Sequence, residues 1–176
     1  DIMRLFLEAT HKRGIEAFHS YCINGGDNDL VETSAIPLKE AHPDWLLPPP
    51  WDDEKRGIFW NFAIPQVRQL KLQALREVAE NYDFDGIEID FSEGVICLPL
   101  GRQWELRDLM TDFMRSVRSM TMEVAAKRGR PLLLAARVPE NLEGCHVDGL
   151  DIETWADEVL LDIIAMGRRS YDVDVA

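Results

Sequence analysis

The segment YDFDGIEIDFSEG, residues 82–94, sets two carboxylates, Glu88 and Asp90, into an otherwise apolar run. Side chains alternate across a strand, so Glu88 and Asp90 share one face while Ile87, Ile89 and Phe91 take the other. Two acids on a buried strand are costly unless a reaction uses them or a partner satisfies them. Glycosidic hydrolysis is one chemistry for such residues: it needs two carboxyl groups, about 5–5.5 Å apart for retention or about 6.5–9.5 Å for inversion. Cα atoms two positions apart on a strand are roughly 6.6 Å apart, a plausible span. Neighbours on one strand point in parallel, however, whereas a catalytic pair flanks the bond. Asp90, nearer the C-terminal end of the strand, is therefore the catalytic candidate. Glu88 lies deeper and would hydrogen-bond and tune it. A strand beyond this stretch is one place for the second catalytic carboxylate. The alternative is a buried network in which both acids pair with Arg137 and other interior cations.

Other residues could join this pair. Arg137 ends the apolar run RPLLLAARVP, where a guanidinium can hold a carboxylate by two bonds; counter-ion and substrate contact are both open. Asn24 closes IEAFHSYCIN, either donating to a sugar hydroxyl or capping the turn GGDND. Trp45, Trp51 and Trp60 lie in or beside a long stretch, 25–62, that contains a triple proline, and Trp104 follows another loop. Indole faces match the apolar C–H faces of sugar rings, and long irregular loops are often functional. The competing role is to pin the loop to the core. Asp85 reads as structural, bonding the turn around Gly86, and Glu93 as a solvated loop residue. The four histidines show no HxH or HExxH spacing, and Cys22, Cys97 and Cys145 have neither zinc-ligand spacing nor the even count of a disulfide framework. No cofactor or structural metal is therefore expected. A rival reading has Glu88, Asp90 and a third acid holding Mg²⁺ in an enzyme of another class.

The elements that must position these residues alternate. Ile2, Leu5, Phe6 and Ala9 have helical spacing up to Gly14. The strand IEAFHSYCIN follows, and a helix starts at Pro65 and runs to about Asn81 with Val67, Leu70, Leu75 and Val78 in its apolar stripe. After the strand FDGIEIDF comes a loop and a long helix from about Trp104 to Lys127, closed by Gly129. RPLLLAARVP is the third strand; Asp151 caps IETWADEVL, and LDIIAM is the fourth. Strands this continuously apolar, separated by helices, imply a parallel sheet covered by helices. No GxGxxG or Walker-type loop follows any strand, which counts against a nucleotide-binding doubly wound sheet. In a (β/α)8 barrel the strand ends meet at one rim, bringing Asn24, Glu88, Asp90, Arg137 and Arg168 together. Four strands in 176 residues make about half of such a barrel, since a whole one needs about 250 residues. The expected fold is thus α/β, one partial TIM-barrel domain over 1–176; the opening on Asp1 fits an excised piece of something longer.

Composition narrows the partners. The net charge is −13, with 19 basic against 32 acidic residues, and no basic stripe interleaves with aromatics, so no nucleic-acid partner is expected. No apolar run reaches the roughly 20 residues of a membrane helix. A neutral or cationic partner fits better, with solubility the plainer meaning of the acidity, and an exposed sheet edge could pair the piece with itself.

The run WNFAIPQVRQLKLQALREVAENY followed by FDGIEIDF resembles the barrel core of bacterial glycoside-hydrolase-like proteins, in which a helix leads into a strand of the form DGIExDF. HPDWLL, GRPLLLAARVP and GLDIETW extend the resemblance over most of the chain. It is also distantly similar to the chitinase-type DGxDxDxE strand, with Asp85, Glu88 and Asp90 on its first three acidic positions. Ser92 stands where that pattern has its catalytic acid, with Glu93 one residue on and on the opposite face, so the substrate-assisted chitinase mechanism is not implied. The resemblance implies a carbohydrate-handling barrel: a glycosidase, or a barrel that binds sugar without cleaving it.

Overall fold

The computed structural model describes residues 1–24, 37–48, 59–92 and 96–167. Asp1 caps α1 (Ile2–His11) by accepting from the Met3 amide, and β1 (Phe18–Cys22) follows. Two short elements interrupt the stretch expected to be irregular, α2 (Pro37–Ala41) and a 3₁₀ turn (Pro43–Trp45). α3 (Pro65–Asn81) opens on its proline, whose missing N–H costs nothing in a first turn. β2 (Gly86–Asp90) leads through a loop to α4 (Arg107–Arg128). That helix begins at Arg107 rather than near Trp104, and it ends on Gly129, whose φ of 69° suits a residue without a Cβ.

β3 (Leu133–Val138) runs into a helix that hydrophobic periodicity does not announce, α5 (Leu142–Asp148). Its signal is local: Asn141 accepts from the Gly144 amide at one end, and Gly149, at φ 75°, closes the other. α6 (Ile152–Asp157) starts on Asp151, which accepts from the Thr154 amide as expected, and β4 (Ile163–Met166) is the last element.

The four strands form one sheet in the order β1-β2-β3-β4, every pair parallel, as the alternation requires. Its helix-covered face carries Ile87, Ile89, Leu134, Ala136 and Val138, all buried against the stripes of α3 (Val67, Leu75, Ala79) and α4 (Met110, Met114, Val117). Each isoleucine removed from water in this layer contributes roughly 2–3 kcal/mol. Trp155 of α6 is fully buried, and its indole N–H donates to Thr111 of α4 at 3.0 Å. On the opposite face the ring of Phe18 lies across Gly86, where a Cβ would stand only 2.2 Å from it; the glycine is needed for that contact.

At the N-terminal ends of the strands Asp85 is held from three sides. It takes bonds from the Ala17 amide (2.8 Å), His11 (2.9 Å) and Arg130 (2.8 Å), which ties α1, β1 and the start of β3 to β2. This is the structural role expected for Asp85, realised across strands rather than within its own turn.

Candidate active site

In β2 the pleat sorts the side chains as anticipated. Ile87 and Ile89 are buried, whereas Glu88 and Asp90 turn to the other face with 15% and 14% of their side chains exposed. The opposite register would put two carboxylates beneath α3 and α4, at several kcal/mol each by rough measure. Parallel pairing aligns Ser20, Glu88 and Ala135 in one row, and Cys22, Asp90, Arg137 and Ala165 in the next row toward the C-terminal rim. Asp90 is therefore nearer the rim than Glu88.

The contacts give the two acids different surroundings. Glu88 accepts from the Ser20 hydroxyl at 2.9 Å and from Arg137 Nη2 at 3.2 and 3.4 Å. Asp90 Oδ1 accepts from the Ser92 amide at 2.7 Å and the Ser92 hydroxyl at 2.5 Å. Its Oδ2 lies 4.0 Å from Arg137 Nε. One guanidinium thus bridges the two carboxylates, and with 40% of its side chain exposed it also reaches solvent at the rim. Both acids act as acceptors in every one of these bonds.

Ser20 and Ser92 were not singled out as partners of the acids, though each left a trace. Ser92 follows Asp90 by two residues, the spacing at which an Asp side chain bonds the backbone ahead of it. Ser20 becomes visible only through the pairing register of β1 with β2.

Two expected sugar contacts go elsewhere. Asn24 is 0% exposed; its amide nitrogen donates to the Trp60 and Ile96 carbonyls (2.9 and 2.7 Å), and its oxygen accepts from the Trp60 amide (2.9 Å). Its hydrogen-bonding groups clamp the strand end to two loops, leaving no donor for a hydroxyl. Trp60 is 3% exposed, within the core, so it presents no open face to a sugar; the Lys39 ammonium lies 5.2 Å from its ring centre. Trp45 is partly exposed and stacks on His42 at 4.0 Å. Trp51, Glu93 and Arg168 lie outside the described residues.

Among the described residues no three His, Cys, Asp or Glu side chains converge on a point where a metal could sit, so the third acid of the Mg²⁺ reading is not found there. No helix among them is long and apolar enough to cross a membrane. Cys22, Cys97 and Cys145 form no disulfide, and burial pushes the Cys97 and Cys145 thiols well up, the latter to about 11, which leaves these two poor nucleophiles.

No protein-family model matches the chain. A curated relative, Glycosyl hydrolase YngK of Bacillus subtilis (strain 168), is 28% identical over 93 residues, which cover 51% of this chain and 17% of the relative. The glycoside hydrolase family 18 N-acetylglucosaminidase of Paenibacillus barengoltzii matches with a TM-score of 0.56 and 14% identity, over 94% of this chain and 40% of its own. Chitinase ChiA74 of Bacillus thuringiensis matches with a TM-score of 0.56 and 17% identity, over 92% of this chain and 21% of its own. The fold is glycoside-hydrolase-like, and the four parallel β/α units are part of a (β/α)8 barrel.

Proposed function

We propose that residues 1–176 are part of a barrel domain that hydrolyses a glycosidic bond, with Asp90 as the catalytic carboxylate. The observation that carries this reading is the placement of Asp90. It sits on the face turned away from the helices, in the row nearest the C-terminal rim where barrel enzymes keep their chemistry, with Arg137 beside it. The name of the curated relative points the same way.

Ser92 engages one oxygen of Asp90, which orients the carboxylate and leaves Oδ2, 4.0 Å from Arg137 Nε, for the reaction. That oxygen acts as base toward water or as nucleophile toward the anomeric carbon. Glu88 is a positioning residue that holds the guanidinium, while the exposed part of Arg137 meets a substrate hydroxyl. Protonation of the leaving oxygen falls to another carboxyl group. The neighbours of Asp90 in its row are Cys22, Arg137 and Ala165, none of them an acid.

The same row supports a second reading, a barrel that binds carbohydrate without cleaving it. The full-length protein distinguishes the two when assayed against 4-nitrophenyl glycosides and neutral oligosaccharides. Release of reducing sugar that Asp90→Asn abolishes supports hydrolysis. Sugar binding without turnover under all conditions supports the binding barrel.

A further inference from the structure

A pocket of about 530 Å³ lies away from the two acids but on the same end of the sheet, and its volume falls in the roughly 300–1,000 Å³ range of small-molecule sites. Its walls are the loop leaving β2, through Gln103, Trp104 and Glu105, and the helix leaving β3, through Glu143, His146 and Val147. These segments meet backbone to backbone: a Cβ on Gly149 would stand 2.6 Å from the Gln103 carbonyl oxygen, and the φ of Gly149 is +75°. The pocket is thus built on a fixed junction between the segments that follow two neighbouring strands.

Trp104 is set in place within it. Its ring centre is 3.9 Å from that of His146, and the Arg107 guanidinium carbon is 4.7 Å away. Arg107 also donates to the Trp104 carbonyl at 3.0 Å. Such fixing removes most of the entropy a free indole would lose on binding. Even so, Trp104 is 38% exposed, and Leu142 and Val147 nearby are 47% and 63% exposed. Glu105 and Glu143 line the pocket; Glu105 is paired with Arg102 at 2.6 Å, which leaves Glu143 as its uncompensated carboxylate among the described residues, and the Arg107 guanidinium borders the indole.

We infer that this pocket is a rim subsite for a sugar unit of a neutral oligosaccharide. This deepens the reading above and rests on it for the substrate class. An apolar aromatic surface beside carboxylate acceptors matches a pyranose, which offers C–H groups on its faces and hydroxyl donors at its edge. Glu143 and the net charge of −13 disfavour acidic sugars. The site holds a part of the chain remote from the bond that is cleaved, so it acts on the binding of long substrates more than on the chemical step.

The test is tryptophan fluorescence and calorimetric titration of the full-length protein with tetra-N-acetylchitotetraose, maltotetraose and stachyose, with tetragalacturonate as the acidic counterpart. At least one neutral tetrasaccharide should bind, tetragalacturonate should not, and Trp104→Ala should weaken binding about tenfold. His146→Ala, which keeps the indole, should weaken it by a smaller factor, and melting curves confirm that both variants are folded. Binding unchanged in both variants, no neutral tetrasaccharide bound at millimolar concentration, or preference for tetragalacturonate would each overturn the inference. Asp90→Asn separates this result from the proposed activity. If the rim subsite is right and the hydrolase reading wrong, tetrasaccharide binding still depends on Trp104 while turnover is absent from the wild type.

Discussion

Replacing Asp90 by Asn tests the proposed site most directly, because its contacts imply a small cost to the fold while the proposed mechanism implies a large one to the chemistry. The asparagine oxygen can keep both bonds from Ser92, the amide at 2.7 Å and the hydroxyl at 2.5 Å, though they weaken from charge-assisted to neutral. That change costs about 1 kcal/mol. The pair with Arg137 is long, at 4.0 Å, and its guanidinium is 40% exposed, so its loss adds only about 0.5 kcal/mol. A total near 1.5 kcal/mol lowers the melting temperature by about 3–6 °C in a protein of this size. On the proposed mechanism, loss of the Asp90 carboxylate should lower kcat by at least about 10³-fold, equivalent to roughly 4 kcal/mol in the transition state. The assay is kcat on the best 4-nitrophenyl glycoside, run beside a thermal melt and an oligosaccharide titration. The expected result is lost turnover with retained binding and a nearly native melt. A variant whose kcat stays within tenfold of the wild type would refute the assignment and leave Asp90 as an ion-pair partner of Arg137.

Gly86→Ala should destabilise by about 1–3 kcal/mol in urea denaturation, since its Cβ would enter the Phe18 ring and that ring must leave its seat. Asn24→Ala strips partners from the Trp60 amide and from the Trp60 and Ile96 carbonyls in a buried place. It should cost about 2–4 kcal/mol while leaving sugar affinity of the folded protein unchanged, and a specific loss of affinity would restore Asn24 as a ligand contact. Stability should fall in acid. Arg130 and then Arg128 hold the Asp83 carboxyl below its ordinary range. Burial pushes Asp85 upward, but the Ala17 amide, His11 and Arg130 outweigh it; at Asp162 burial is outweighed by Arg118 and the Leu134 amide. All three are depressed in the folded state, so their contribution is present above the unfolded value near pH 4 and is lost as pH falls through the folded values. Burial lowers the His19 pKa, so the urea midpoint should decline slightly below about pH 6.5, where the unfolded imidazole takes a proton the folded one resists. It should drop further below about pH 4, and Asp85→Asn should make that second drop shallower.

The architecture was legible in the sequence because it rests on local periodicity. The run at 84–91, apolar apart from its three acids, and the run at 130–139, separated by long amphipathic stripes, leave few options besides a parallel sheet covered by helices, and the strands pair in chain order. The shared face of Glu88 and Asp90 was legible for the same reason, since alternation along one strand needs no partner to be known. The caps Asp151 and Gly129 were readable as single residues. α5 was not, because seven residues are too few for a stripe and only its Asn141 and Gly149 ends mark it.

Contacts between distant segments were decided by the tertiary structure alone. Asn24 and Trp60 are 36 positions apart, and nothing in either neighbourhood tells that one amide would clamp the other's backbone rather than meet a sugar. Ser20 reaches Glu88 across 68 positions because β1 pairs with β2 in one register and not its neighbour. Trp104 and His146 meet because the segments leaving two adjacent strands pack at Gly149. Periodicity reports which face a residue takes on its own element. Which residue stands opposite depends on register and loop packing, and these are settled only when the whole core closes.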